Sequence, residues 1–273
     1  MRFKHVSSTQ LQGYRSRRMK DMIIEKIAET PADACVVGGD FHGHLINSIR
    51  ELAPIAERMP VVYVPGNIDF YTGDYTMEEL LEQANELADK MGNVHLLSNS
   101  SVVLGDTRFI GATLWTDVSG ASGKEVYAIN DFRSIRTFEG PWTTARQKIE
   151  HDVTVDFLES ELAIRDGLAT VVVTHNSPHP SVRDPQYPGA SPFFYSDLSY
   201  LLGGPFAPDY WIVGGNHVTM DWKIGETLLV SNGLGHPREA DVGENFEHFD
   251  FDAVLETSPK PSPRLTHGSA AKP

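Results

Sequence analysis

Four short apolar runs recur along the chain, and each ends in a turn that presents a polar side chain. Ala34-Cys35-Val36-Val37 leads through Gly38-Gly39 to Asp40 and His42, and Val61-Val62-Tyr63-Val64-Pro65 leads to Gly66-Asn67-Ile68-Asp69. Val171-Val172-Val173-Thr174 delivers His175, and Tyr210-Trp211-Ile212-Val213 leads through Gly214-Gly215 to Asn216 and His217. Unbroken apolar runs of this length, bounded by turn residues, predict strands buried on both faces. A further strand is predicted over Arg2–Val6 and a strand group over 94–115, joined by Gly105-Asp106. Between them apolar residues recur at helical spacing. The pattern predicts helices over 14–29 (Met19, Met22, Ile23 and Ile27 inward), 44–59 (Leu45, Ile49, Leu52 and Ile55 inward), 77–91, and 146–165 (Ile149, Val153, Phe157 and Leu158 inward). Strands alternating with helices give an α/β architecture. In open α/β folds the chemistry gathers at the carboxyl ends of the strands. Asp40, Asn67, His175 and His217 all fall there.

Two stretches carry no such period. Residues 117–144 hold several glycines and Trp142, and residues 177–196 hold prolines at 178, 180, 185, 188 and 192. Both leave strand ends near the candidate site, so they are expected to wall it, with plain surface loops as the alternative. Residues 257–273, rich in Pro, Ser, Lys and Ala, read as a disordered tail after a single domain over 1–256.

Composition narrows the function. The formal charge is −14, from 37 acidic against 23 basic residues. That balance repels nucleic-acid backbones and anionic membranes, so the expected partner is a small molecule. No apolar stretch approaches the length of a membrane span, and the start of the chain has no signal-peptide core, so a cytoplasmic protein is expected. The single cysteine, Cys35, cannot form an internal disulfide and reads as a buried strand residue. Nothing in the chain speaks to oligomeric state.

The strand-end motifs resemble those of the calcineurin-like metallophosphoesterases, over residues 1 to about 255. The stretches Phe109-Ile110-Gly111-Ala112-Thr113-Leu114-Trp115-Thr116-Asp117 and Asn130-Asp131-Phe132-Arg133 are similar to one bacterial branch of that family. The resemblance implies a four-layer αββα sandwich of two mixed sheets flanked by helices. It also implies a pair of metal ions bridged by Asp40. Several motif positions depart from the family pattern. Ser8 and Gln10 stand where an aspartate and a histidine are expected, Ile68 where a histidine works beside the substrate, Asn176 and Gly215 where further histidines are expected. Carried over by position, the first metal keeps Asp40 and His217 alone, while the second keeps Asp40, Asn67 and His175. Two dications about 4 Å apart repel by roughly 17 kcal/mol at an effective dielectric near 20, and the lost carboxylate is one of the groups that offset it. Three donors plus water hold a catalytic ion, whereas two rarely do.

The resemblance therefore implies a hydrolase with a reduced, mononuclear site for Mn, Fe or Zn on Asp40, Asn67 and His175. It would act on a phosphoester or related small molecule, with His217, Asp69 and His42 as candidate catalytic groups. The competing readings are a non-catalytic binding or scaffold protein of the same fold, and a metal-free enzyme using His175, His217 and Asp40 as acid–base groups. Each retained residue also has a plain structural role open to it: Asp40 as a helix cap, Asn67 as a turn residue, the histidines as hydrogen-bonded pocket groups.

Overall fold

A computed structural model describes residues 1–181, 192–217, 219–237 and 247–258. In chain order it runs β1 (Arg2–Val6), α1 (Arg17–Glu29), β2 (Ala34–Val37), α2 (Leu45–Glu51), α3 (Ala53–Ala56), β3 (Val61–Tyr63), α4 (Met77–Met91), β4 (Val94–Leu96), β5 (Ser100–Leu104) and β6 (Thr107–Ala112). There follow α5 (Gly123–Ala128), α6 (Asp131–Ser134), β7 (Arg136–Thr137), β8 (Gly140–Pro141), α7 (Thr144–Leu162), β9 (Ala169–Thr174), β10 (Tyr210–Val213), β11 (Thr219–Ile224), β12 (Thr227–Asn232) and β13 (Val254–Glu256).

The strands form two large sheets, in the orders β13-β1-β2-β3-β4 and β11-β12-β10-β9-β6-β5. Inner strands are parallel, and β13, β11 and β5 close the edges antiparallel. Alternate residues of each strand sort into different layers, as the two-residue period requires. Phe3, Val36 and Val62 of the first sheet meet Phe109, Val171, Val173 and Ile212 of the second. Cys35 and Val37 turn the other way onto Ile23, Ile27, Leu45 and Ile49 of the first helical layer. Val172 and Trp211 pack on Leu158 and Leu162 of α7. The architecture is therefore the expected mixed α/β sandwich of helices, sheet, sheet and helix. No helix among the described residues is long and apolar enough to cross a membrane.

Register brings the chemistry together. Val6 pairs with Val37 and Val37 with Tyr63, while Ala112 pairs with Thr174 and Thr174 with Val213. The parallel strands of each sheet thus end level, and the two sheets converge at that edge. There Ser7 bridges Gly233. At the same edge a Cβ on Gly214 would lie 1.6 Å from the Gly38 carbonyl oxygen, so the approach requires glycine.

The helices differ from expectation where local chemistry overrides period. α4 has the expected bounds, fixed by a capping box between Thr76 and Glu79 and by left-handed Gly92. α1 starts at Arg17, after the Ser16 cap, and buries Ile24 while Met22 is 37% exposed. The helix expected over 44–59 divides into α2 and α3, because Pro54 lies in the first turn of the second and has no N–H to continue the first. The inward face of α7 is a correction of chemical type. Ile149 and Val153 are 55% and 51% exposed, and the buried face is Gln147, His151, Thr154, Leu158 and Leu162. Gln147 Nε2 donates to Thr116 Oγ1 at 3.0 Å, His151 Nδ1 donates to the Trp115 carbonyl at 2.8 Å, and Thr154 Oγ1 donates to Asn99 Oδ1 at 2.9 Å. The segment after β6 and the turn before β5 carry polar groups that must be satisfied once buried, and α7 satisfies them.

Residues 117–144 are ordered rather than irregular. Ser122 and Glu125 form a capping box for α5, and Trp142 is buried 4.6 Å from Trp115, centroid to centroid. In the 177–196 stretch, residues 182–191 lie outside the described residues, as do 259–273 of the expected tail. The start of that tail is docked, however. Thr257 is buried, its N–H donates to the Met1 carbonyl at 2.8 Å, and its hydroxyl pairs with that of Thr107 at 2.6 Å, which continues the β1–β13 ladder. Cys35 is buried and free, and burial pushes its thiol up to about 12.

One buried group sets an acid limb to stability. His5 faces the inter-sheet core, its Nδ1 has no partner among the described residues, and burial pushes its pKa down to about 4. The unfolded chain takes up this proton near pH 6.5 and the folded one does not, so stability is full above pH 6.5 and falls as pH drops towards 4. The difference amounts to about 3 kcal/mol. Urea unfolding at pH 5 and pH 7.5 should show a smaller pH difference for His5→Leu than for the wild type. Equal differences would show that His5 titrates normally.

Candidate metal centre

Asp40 follows β2 in a left-handed conformation with φ 53°, which costs a non-glycine residue energy and needs bracing. Its N–H donates to Asp69 Oδ2 at 3.1 Å, its carbonyl accepts from Gln10 N at 2.9 Å, and its Oδ1 accepts from Ile68 N at 3.0 Å. The side chain is 1% exposed, and burial raises its carboxyl to about 7 against the pull of His217. The turn after β3 lies directly against it. A Cβ on Gly66 would sit 2.2 Å from Asp40 Oδ1, so only glycine lets Asn67 come this close.

His175 reaches over from β9 in the second sheet. Its Nδ1 lies 2.9 Å from the Gly38 carbonyl, which can only accept, so Nδ1 carries the proton. Burial lowers its pKa and so favours the neutral ring, in which Nε2 is a bare lone pair. That lone pair faces Asn67 Oδ1 at 3.1 Å and Asp40 Oδ2 at 3.4 Å. The carboxamide of Asn67 is oriented by its other end, where Nδ2 donates to Asp131 Oδ1 at 2.9 Å and to Tyr71 Oη at 3.0 Å. Three acceptors therefore converge with no donor among them. A proton on Asp40 does not resolve this, since 3.4 Å is too long for proton sharing and one proton serves one partner. Metal bonds of about 2.1 Å place neighbouring donors about 3.0–3.4 Å apart in octahedral or tetrahedral geometry. The donor set and its spacing fit a divalent cation. Among the described residues no three His, Cys, Asp or Glu side chains converge, so a cation held here would take the Asn67 carboxamide as its third donor.

The position beside it is closed differently. Ser8 Oγ donates to the Gly214 carbonyl at 2.9 Å. Gln10 Nε2 lies 2.9 Å from His217 Nε2 and donates to it, which puts the His217 proton on Nδ1. A neutral amide hydrogen thus occupies the lone pair that a second cation would need. Both Ser8 and Gln10 are left-handed, with φ 44° and 45°, and both are buried.

The sequence-predicted residues therefore divide into three groups. Asp40, Asn67 and His175 meet, and His217 lines the same cleft of about 420 Å³. Asp69 lies beneath, fully buried, where its carboxylate accepts from Ser48 Oγ (2.6 Å), Tyr63 Oη (2.5 Å), Gly66 N (2.9 Å) and Asp40 N (3.1 Å). His42 does not line the cleft. It is held by Ser48, donating its N–H to Oγ at 2.9 Å, and its charged neighbours are Lys20, Glu51, His44 and Arg17 of the helical layer. Several polar cleft residues stand outside the set of candidate site residues, among them Asp131, Tyr71 and Asn216. Asp131 is buried on α6, Tyr71 donates its hydroxyl to Asp131, and Asn216 is 5% exposed with its Nδ2 lacking a partner among the described residues. Asp131 falls in one of the two family-like stretches, and Asn216 stands beside His217, but neither position signals a role by residue type. Ile68, Ile129 and Phe194 give the cleft apolar wall.

Residues 1–219 match the calcineurin-like phosphoesterase family. An uncharacterized protein of Acanthamoeba polyphaga mimivirus is 24% identical over 239 residues, which span 80% of this chain and 82% of the viral protein. Among solved structures, the phosphopantetheinyl hydrolase of Mycobacterium tuberculosis is similar with a TM-score of 0.73 at 16% identity, covering 96% of this chain and 98% of that one. That likeness speaks for the fold alone. The match over residues 1–219 covers most of the chain, and with it the strand ends that carry Asp40, Asn67, His175 and His217: the chain belongs to the calcineurin-like phosphoesterase family.

Proposed function

We propose that the protein is a phosphoesterase-like hydrolase whose site takes one divalent ion, Mn, Fe or Zn, on Asp40, Asn67 and His175. The observation that carries this is the convergence of Asn67 Oδ1 and Asp40 Oδ2 on the bare Nε2 of His175, at 3.1 and 3.4 Å. When bound there, such an ion supplies Lewis acidity and lowers the pKa of a water. The chain's own groups do the rest. Asn216 lines the cleft, and its Nδ2, a buried donor with no partner among the described residues, suits a phosphoryl oxygen. His217, with Nε2 accepting from Gln10, has its proton on Nδ1 and can offer a hydrogen bond to an ester oxygen, while the proton that a leaving alkoxide takes up comes from water. Ile68 donates nothing, and with Ile129 and Phe194 it favours a small substrate with an apolar part.

A second reading has its own support. The Gln10–His217 bond and Ile68 together remove a cation position and a catalytic imidazole, which suits a binding protein of the same fold. Metal analysis separates the two. Protein purified without chelators and dialysed against Mn²⁺ should retain about one ion per chain and hydrolyse an activated phosphoester. Asp40→Asn should lose both. Metal-free wild-type protein with no turnover would favour the binding protein.

A further inference from the structure

Asn67 can present either end of its carboxamide to the cation site, and the two ends are nearly equal in size. Turned by 180°, its Nδ2 would donate to His175 Nε2 and Asp40 Oδ2, which in a metal-free site is the better arrangement. The ligating orientation therefore does not maintain itself. Asp131, on α6 in the 117–144 segment, is 4% exposed, and its Oδ1 accepts from Asn67 Nδ2 at 2.9 Å and from the Tyr71 hydroxyl. Tyr71 Oη accepts from the same Nδ2 at 3.0 Å. The amide nitrogen is thus held away from the cation site, and the turned form would set the carboxamide oxygen against a carboxylate. Charge-assisted bonds of this kind are about twice as strong as neutral ones.

We propose that Asp131 is a positioning residue that holds the Asn67 carboxamide oxygen toward His175 and Asp40. The proposal rests on reading that cluster as a cation site. It gives the 117–144 segment a chemical task, since the ligand's orientation is decided by a residue 64 positions away in the chain. Partners that orient metal ligands typically contribute about 10–100-fold in affinity.

The test is calorimetric titration of metal-free full-length protein with Mn²⁺, with thermal unfolding run beside it. Asp131→Ala should bind about 10–100-fold more weakly while still unfolding cooperatively. Asp131→Asn keeps an oxygen that accepts from Asn67 but adds an amide that can serve the turned form, so it should recover only part of that loss. If Asp131→Ala binds Mn²⁺ as tightly as the wild type, Asp131 does not hold the ligand and the proposal falls. Asn67 side-chain amide signals, followed by ¹⁵N NMR in the metal-free protein, give an arm that needs no ion. They should shift toward those of a free carboxamide in Asp131→Ala, and unchanged signals would overturn the proposal. Wild-type protein that takes up no Mn²⁺ would instead sink the cation-site reading, and the NMR arm would still decide the role of Asp131.

Discussion

Replacing His175 with alanine is expected to abolish metal uptake and hydrolysis together while leaving a folded protein. The ring supplies the one neutral nitrogen donor of the cluster, and its removal leaves Asp40 and Asn67, a pair that rarely holds an ion. Affinity should fall by more than about 100-fold, beyond the range seen for mere orienting partners. Stability should respond differently. The variant loses the bond from Nδ1 to the Gly38 carbonyl and the packing of a buried ring, a loss of about 1–3 kcal/mol. It also removes one of three acceptors that face one another without a donor, which offsets part of that loss in the metal-free protein. Mn²⁺ should therefore raise the melting temperature of the wild type by mass action and leave that of His175→Ala unchanged. Wild-type turnover in His175→Ala, or an equal Mn²⁺ shift in both proteins, would remove the basis for the proposed function.

The parts of this site differ in how legible they are in the sequence, and the reason is physical. Asp40, Asn67, His175 and His217 stand out because each follows an apolar run, three of them across a glycine turn, and parallel register then carries all four to one edge. The α/β class is legible for the same reason, whereas the two-sheet sandwich is legible through the family resemblance. Asp131 is not, because no period marks the 117–144 segment and its partner lies in a different turn. The face of α7 misleads for a related reason. Ile149 and Val153 keep helical spacing, yet the carbonyl and hydroxyl groups of Trp115 and Thr116 have no side-chain signature that announces their need for Gln147 and His151. Hydrophobic pattern reports what seeks the core. It does not report what a buried backbone requires.

Asp69 shows the same limit and carries the second large prediction. By position it is a carboxylate beside the site and a candidate catalytic group, but its environment leaves it nothing to do chemically. A carboxylate has about four lone-pair positions. Here four donors approach them, from Ser48, Tyr63, Gly66 and Asp40. What Asp69 does is hold the turn after β3 against the turn after β2, and in particular it braces the left-handed backbone of Asp40. Asp69→Ala removes the acceptor of four buried donors at once, Ser48 Oγ keeping the His42 carbonyl, at about 1–3 kcal/mol for each one left unsatisfied. Even with partial relaxation the loss should reach about 4 kcal/mol, a fall in melting temperature of about 8–16 °C. Asp69→Asn keeps the shape and one acceptor oxygen, so it should be destabilised by less. Below its melting temperature that variant should turn over within about tenfold of the wild type, whereas the equivalent change one layer above, Asp40→Asn, should be inactive. A brace and a catalyst thus predict opposite pairings of stability and rate at this position. An Asp69→Asn protein with unchanged melting temperature and lost turnover would return Asp69 to the chemistry.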